Sequence, residues 1–84
     1  MNYIIIIYVN NKNLVIKQIN KLIKDKVQIH FLILLDSYDY IQYFSNYGTV
    51  IISDSEKYLS KKMQLAYNYI KNSKEKYDYI FELN

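Results

Sequence analysis

Residues 3–10, Tyr-Ile-Ile-Ile-Ile-Tyr-Val-Asn, constrain this chain more than any other stretch. They form a β-branched and aromatic run with no polar alternation. A strand with one wet face alternates, whereas a strand covered on both faces reads as a solid apolar run. The run is also too short to cross a bilayer as a helix, which needs about 20 apolar residues. It therefore predicts a central parallel strand with helices on both sides, and a ligand site where that strand ends, at residues 9–13.

The segments that follow keep the same grammar. Asn10, Asn11, Lys12 and Asn13 make a polar loop, with Asn13 expected to cap a helix over residues 14–24. Val15, Ile19, Leu22 and Ile23 fall on one face of that helix, and Lys17, Lys21 and Lys24 on another. Residues 27–35, Val-Gln-Ile-His-Phe-Leu-Ile-Leu-Leu, begin by alternating and end solid, as a strand does when it passes from a partly wet edge into a two-sided core. Asp36, Ser37, Tyr38 and Asp39 end it, with Asp36 or Ser37 placed to cap a short helix over residues 38–46.

Gly48 is the single glycine and is expected to close that helix in the left-handed conformation. A third strand is predicted over residues 49–53. Ser53 and Glu56 have capping-box spacing, leaving the start of the next helix open between residue 53 and residue 60; it is placed at 57–72. Its apolar stripe is Leu59, Met63, Ala66 and Ile70, widened by Tyr67. After a polar turn, residues 78–83 read as a fourth strand.

Alternating strands and helices predict one α/β domain over residues 1–84, a Rossmann-like three-layer fold on a parallel sheet of order 3-2-1-4. In such sheets ligands bind beyond the carboxyl ends of the strands. Residues 9–13, 36–39, 53–56 and 84 should then converge there. They supply Asn, Asp, Ser and Glu, which suit a polar ligand.

Composition removes several alternatives. There is no Cys for a disulfide frame or a thiolate metal site, and a lone His30 inside a strand makes neither a metal centre nor a Ser-His-Asp arrangement. The first loop lacks the glycines of a dinucleotide or P-loop site, and an Asn stands where a receiver domain carries acidic residues. A net charge of +3, all of its basic residues Lys, would permit nucleic-acid binding, but the lysines are spread along the chain and a sheet covered on both faces offers no stacking platform. Nucleic acid is therefore not an expected partner. The apolar run starts at residue 3 with no basic segment before it and no small-residue cleavage pattern after it, so no membrane segment is expected and the chain is placed in the cytoplasm. Lys61 and Lys62, early in the third helix, meet the positive end of its dipole and ask for an anion there unless they reach water.

A first strand ending in Tyr8-Val9-Asn10-Asn11, a second ending in Asp36-Ser37-Tyr38-Asp39, and the segment Leu59-Ser60-Lys61-Lys62-Met63-Gln64-Leu65-Ala66 together resemble the N-terminal part of family-2-type glycosyltransferases of the GT-A fold. The segment Tyr77-Asp78-Tyr79-Ile80-Phe81-Glu82-Leu83-Asn84 is similar to the strand that leads to their Asp-x-Asp metal motif. The resemblance implies the nucleotide-binding half of an enzyme that moves a sugar from a nucleotide-diphosphate donor of UDP or GDP type. It implies that Tyr8, Val9 and Asn10 line the nucleotide, that Asp36 and Ser37 meet the base or ribose, and that Lys61 or Lys62 approaches the diphosphate. It also implies a divalent metal, Mn or Mg, for the complete enzyme, and a chain truncated before the metal motif and the catalytic base. Within this chain only Asp36 and Asp39 are acidic neighbours close enough in sequence to be weighed as metal ligands. The alternative is a small non-catalytic α/β module that binds a nucleotide or a protein. In either case the unfinished sheet edge is open to association.

Overall fold

The structure, a computed structural model, describes residues 1–23, 28–53 and 58–83. The elements run β1 (Tyr3–Tyr8), α1 (Lys12–Ile23), β2 (Ile29–Leu35), a 3-10 turn (Tyr38–Tyr40) that leads into α2 (Ile41–Phe44), β3 (Thr49–Ile52), α3 (Leu59–Asn72) and β4 (Tyr79–Leu83). The four strands make one parallel sheet of order β3-β2-β1-β4, as expected from the alternation. All strand tips therefore lie at one end of the molecule.

Two apolar layers sit on the two sides of the sheet. Ile5, Ile7, Phe31, Ile33 and Leu35 pack with Val15 and Ile19 of α1 and Phe44 of α2. Ile4, Ile6, Leu32 and Leu34 point the other way and pack with Ala66 of α3. The period of two along each strand deals its residues alternately to these layers. This is why β1 and β2 carry no polar residue at their centres. Complete burial of a Leu or Ile side chain contributes about 1.5–3 kcal/mol, and these two strands hold most of the residues buried that deeply.

Several local expectations are corrected. Asn11, not Asn13, caps α1: its Oδ1 accepts from the Leu14 N–H at 3.1 Å, and the helix begins at Lys12. Two asparagines two residues apart offer the same chemistry, and the sequence does not choose between them. Ile23 ends α1 exposed, and Leu59 and Tyr67 of α3 are exposed as well. On α3 the buried face instead includes Lys62, one turn before Ala66. Gly48 has no left-handed backbone. A Cβ there would overlap the carbonyl oxygen of Phe31, so glycine is required by the close approach of this turn to β2.

Ser37 does cap the 3-10 turn, accepting from the Asp39 N–H at 3.4 Å. Lys24, the strand start at Val27, Glu56 of the capping box, the helix start at 57 and Asn84 lie outside the described residues.

The largest departure concerns β4. Tyr79, Ile80 and Phe81 are 42–50% exposed, so coverage of both sheet faces stops at β1. Tyr3, Tyr79 and Phe81 stack on one face, with centroids 5.4 Å apart for Tyr3 and Tyr79 and 6.1 Å for Tyr3 and Phe81. An open apolar groove of about 400 Å³, lined by residues that include Leu22 of α1 and Phe81 and Leu83 of β4, runs beside them. Contrary to the expectation of a sheet covered on both faces, β4 presents exposed aromatic side chains. No described helix is long and apolar enough to cross a membrane.

Candidate functional site

Hydrogen-bonding side chains converge at the tips of β1 and β2. Val9 continues β1 by one bond, its N–H donating to the Leu34 carbonyl at 3.1 Å, and Ser53 continues β3 by donating to the Leu35 carbonyl at 2.9 Å. These bonds carry the sheet to its last residue, so Asn10 and Asp36 leave it side by side.

A cavity of about 160 Å³ opens between them, lined by Val9, Asn10, Lys12, Leu35, Asp36, Ser37 and Tyr40. The apolar groove beside β4 is larger, but it carries hardly any polar surface for orienting a ligand. Specific sites combine an apolar wall with a few placed polar groups, and of the two openings only the smaller has that make-up.

Asp36 is held from beneath. Lys62 reaches up from α3 and donates to its Oδ1, and the Tyr8 hydroxyl donates to its Oδ2 at 2.5 Å. The Lys62 ammonium also stands 4.8 Å from the centre of the Tyr8 ring. Burial alone would push the Asp36 carboxyl up. The bonds from Lys62 and Tyr8 and the Lys62 charge outweigh it and hold the carboxyl below its ordinary value. Burial likewise works against the Lys62 charge, but its bond to Asp36, helped by Tyr8, raises the ammonium above its ordinary value. The Tyr8 phenol is raised, first by its bond to Asp36 and then by burial. Each group thus stabilises the charge state its neighbours need.

The expected site residues divide into three sets. Val9, Asn10, Asp36 and Ser37 surround the cavity. Tyr8 and Lys62 meet Asp36 from the α3 side of the sheet. Lys61 is exposed on α3 and borders neither group. The anion that an early-helix lysine asks for is, for Lys62, a carboxylate of the chain itself. Lys62 does not reach water; its side chain is 6% exposed.

Lys12, which lies within the expected 9–13 segment without a role of its own, and Tyr40, one residue past the expected 36–39 segment, also line the cavity. Lys12 lies over the Tyr43 ring at 3.4 Å and near the Tyr40 ring at 5.1 Å, forming one wall of the cavity. The signal is present, since both residues flank the strand tips. It is obscured because Lys12 reads as part of a polar loop, whereas it is the first residue of α1.

The divalent cation that the resemblance implies finds no fit here. Among the described residues no three His, Cys, Asp or Glu side chains gather. Asp36 spends an oxygen on an ammonium, and Asp39 accepts from the Ser37 hydroxyl at 3.3 Å. His30 is engaged elsewhere, 3.4 Å from Glu75 and edge-on to Tyr77.

The class these observations define is a small parallel α/β domain with a polar corner at its strand tips. Compared with protein families, with curated proteins and with solved structures, the chain finds no match in any of the three.

Proposed function

We propose that this chain binds a nucleotide at the tips of β1 and β2, as the donor-binding part of a glycosyltransferase that uses a UDP- or GDP-sugar. The observation that carries the reading is Asp36: a carboxylate fixed by Lys62 and Tyr8 and set on the rim of a cavity with Asn10, Ser37, Lys12 and Tyr40. A carboxylate has about four lone-pair positions. With one taken by Lys62 and one by Tyr8, it still has room to accept from a ribose diol or a base N–H. Asn10 and Ser37 add donors and acceptors, Tyr40 an aromatic wall, and Lys12 a cation at the mouth for phosphate. A cavity of about 160 Å³ is below the usual size of a whole ligand site. It takes the nucleoside end, and the diphosphate lies outside over α1.

Sugar transfer is assigned to the complete enzyme, and this chain contributes donor binding. Thermal denaturation with UDP and with GDP tests the reading. A ligand at about ten times its Kd stabilises by about 1.4 kcal/mol, which raises the Tm of a domain this small by about 5–10 °C. No shift with either nucleotide at millimolar concentration would refute it.

A second reading, a non-catalytic module that associates through its sheet edge, is favoured by one observation. β4 carries no Lys or Pro and exposes Tyr79, Ile80 and Phe81, whereas edge strands are ordinarily protected. The reading expects a second copy to pair on β4. Sedimentation at rising protein concentration distinguishes it, since a monomer throughout would exclude it.

A further inference from the structure

A buried ammonium in the first turn of a helix is opposed twice, by its lost hydration and by the positive end of the helix. Lys62 sits there nonetheless, its Nζ on Asp36 and over the face of Tyr8. It joins α3 to the tips of both central strands. Its position also determines what else Asp36 can hold.

We infer that Lys62 is the resident cation of this corner: it fills the α3 side of Asp36 and leaves the cavity side to the hydroxyl and amide donors of a nucleoside, so that binding at Asp36 needs no divalent metal. The inference rests on the nucleotide reading for its ligand, but its statement about metal stands on the geometry of Lys62, Asp36 and Tyr8. A divalent ion on the same carboxylate, at about 2.1 Å, would sit against the ammonium. One negative charge would then answer three positive ones. Among the described residues the other charged side chain that lines the cavity is Lys12, which adds repulsion. A neutral sugar or base meets no such opposition and uses the lone pairs left free.

Asp36 acts here as the contact residue, and Lys62 as the residue that positions it. Two measurements separate the parts of the claim. In the first, Mn²⁺ alone is titrated into the full chain and the amide signals of Asp36 and Ser37 are followed by NMR. No selective paramagnetic broadening at these two residues is expected in the native chain. In Lys62→Met, selective broadening at both is expected. Broadening in the native chain, or none in Lys62→Met, would overturn the inference. Lys62→Arg keeps the charge and should behave as the native chain does, which preserves the test should Lys62→Met fold poorly.

In the second, uridine is titrated in EDTA and then in Mn²⁺. The same Kd within about twofold is expected, with a loss of about tenfold in Lys62→Met and recovery in Lys62→Arg. Binding that requires Mn²⁺ would overturn the inference. Absence of any uridine or UDP binding would instead overturn the nucleotide reading, and the Mn²⁺ titration would still decide the role of Lys62.

Discussion

β1 and β4 are nearly the same kind of segment with opposite fates. One reads Tyr-Ile-Ile-Ile-Ile-Tyr and the other Tyr-Ile-Phe-Glu-Leu, and they lie side by side in register from Tyr3 and Tyr79 onward. The four isoleucines of β1 are buried, whereas β4 is exposed along all but its last residue. The difference comes from neighbours. β1 has a strand on each side and helices on both faces; β4 has one strand, and of α3 it receives the Tyr67 hydroxyl, which donates to Glu82 at 2.5 Å. An apolar run records what a strand can tolerate, and its place in the sheet sets what it obtains.

That contrast is sharpest in stability. Leu32, fully buried on β2 against the α3 layer, should lose about 2–5 kcal/mol on Leu32→Ala. In a domain whose whole stability is of the order of 4–13 kcal/mol, urea denaturation should show a much lower midpoint or no folded baseline. Gly48→Ala should follow at about 1–3 kcal/mol, because the new Cβ must displace the Phe31 carbonyl of the same central strand. Lys62→Met should cost less, about 1–2 kcal/mol, since the Asp36 it abandons is half-exposed and regains water. Phe81→Thr on β4 should change the midpoint least, by under about 1 kcal/mol, because half of that ring is already in water. Equal effects at Leu32 and Phe81 would mean that β4 is covered in solution.

The pH dependence tests the corner separately. The Asp36 carboxyl is held below its ordinary value, so its contribution is present above the unfolded value of about 3.9 and is lost as pH falls through the folded one. Tyr8 and Lys62 are raised, so theirs is complete below about 10 and is lost as pH rises through their folded values. Stability should be level between about pH 5 and 9 and decline on both sides. In Asp36→Asn both declines should shrink together, as measured by urea midpoints across the range.

Much of this architecture was legible. Solid apolar runs at residues 3–9 and 31–35 admit few arrangements other than adjacent parallel strands, and right-handed crossovers then fix the order. The same order brings the tips of those strands together, and with them Asn10, Asp36 and Ser37. Lys62 was harder to read. Its sequence neighbour Lys61 has the same chemistry, and only the rotation of α3, set by Met63, Ala66 and Ile70 against the sheet, turns one lysine inward and the other out. The exposure of β4 was not legible either, because apart from Glu82 it is built of the same aromatic and aliphatic types that β1 and β2 bury. Lys12 and Tyr40 join the cavity through the exact starts of α1 and the 3-10 turn, and a one- or two-residue shift in a cap moves both.

Amide chemical-shift mapping during a UDP titration, in EDTA, reaches all of this at once. Shifts concentrated at Asn10, Lys12, Asp36, Ser37 and Tyr40, and lost in Asp36→Asn, are the predicted result. Shifts confined to Tyr3, Leu22 and Phe81 along the apolar groove, or none at millimolar UDP, would contradict it.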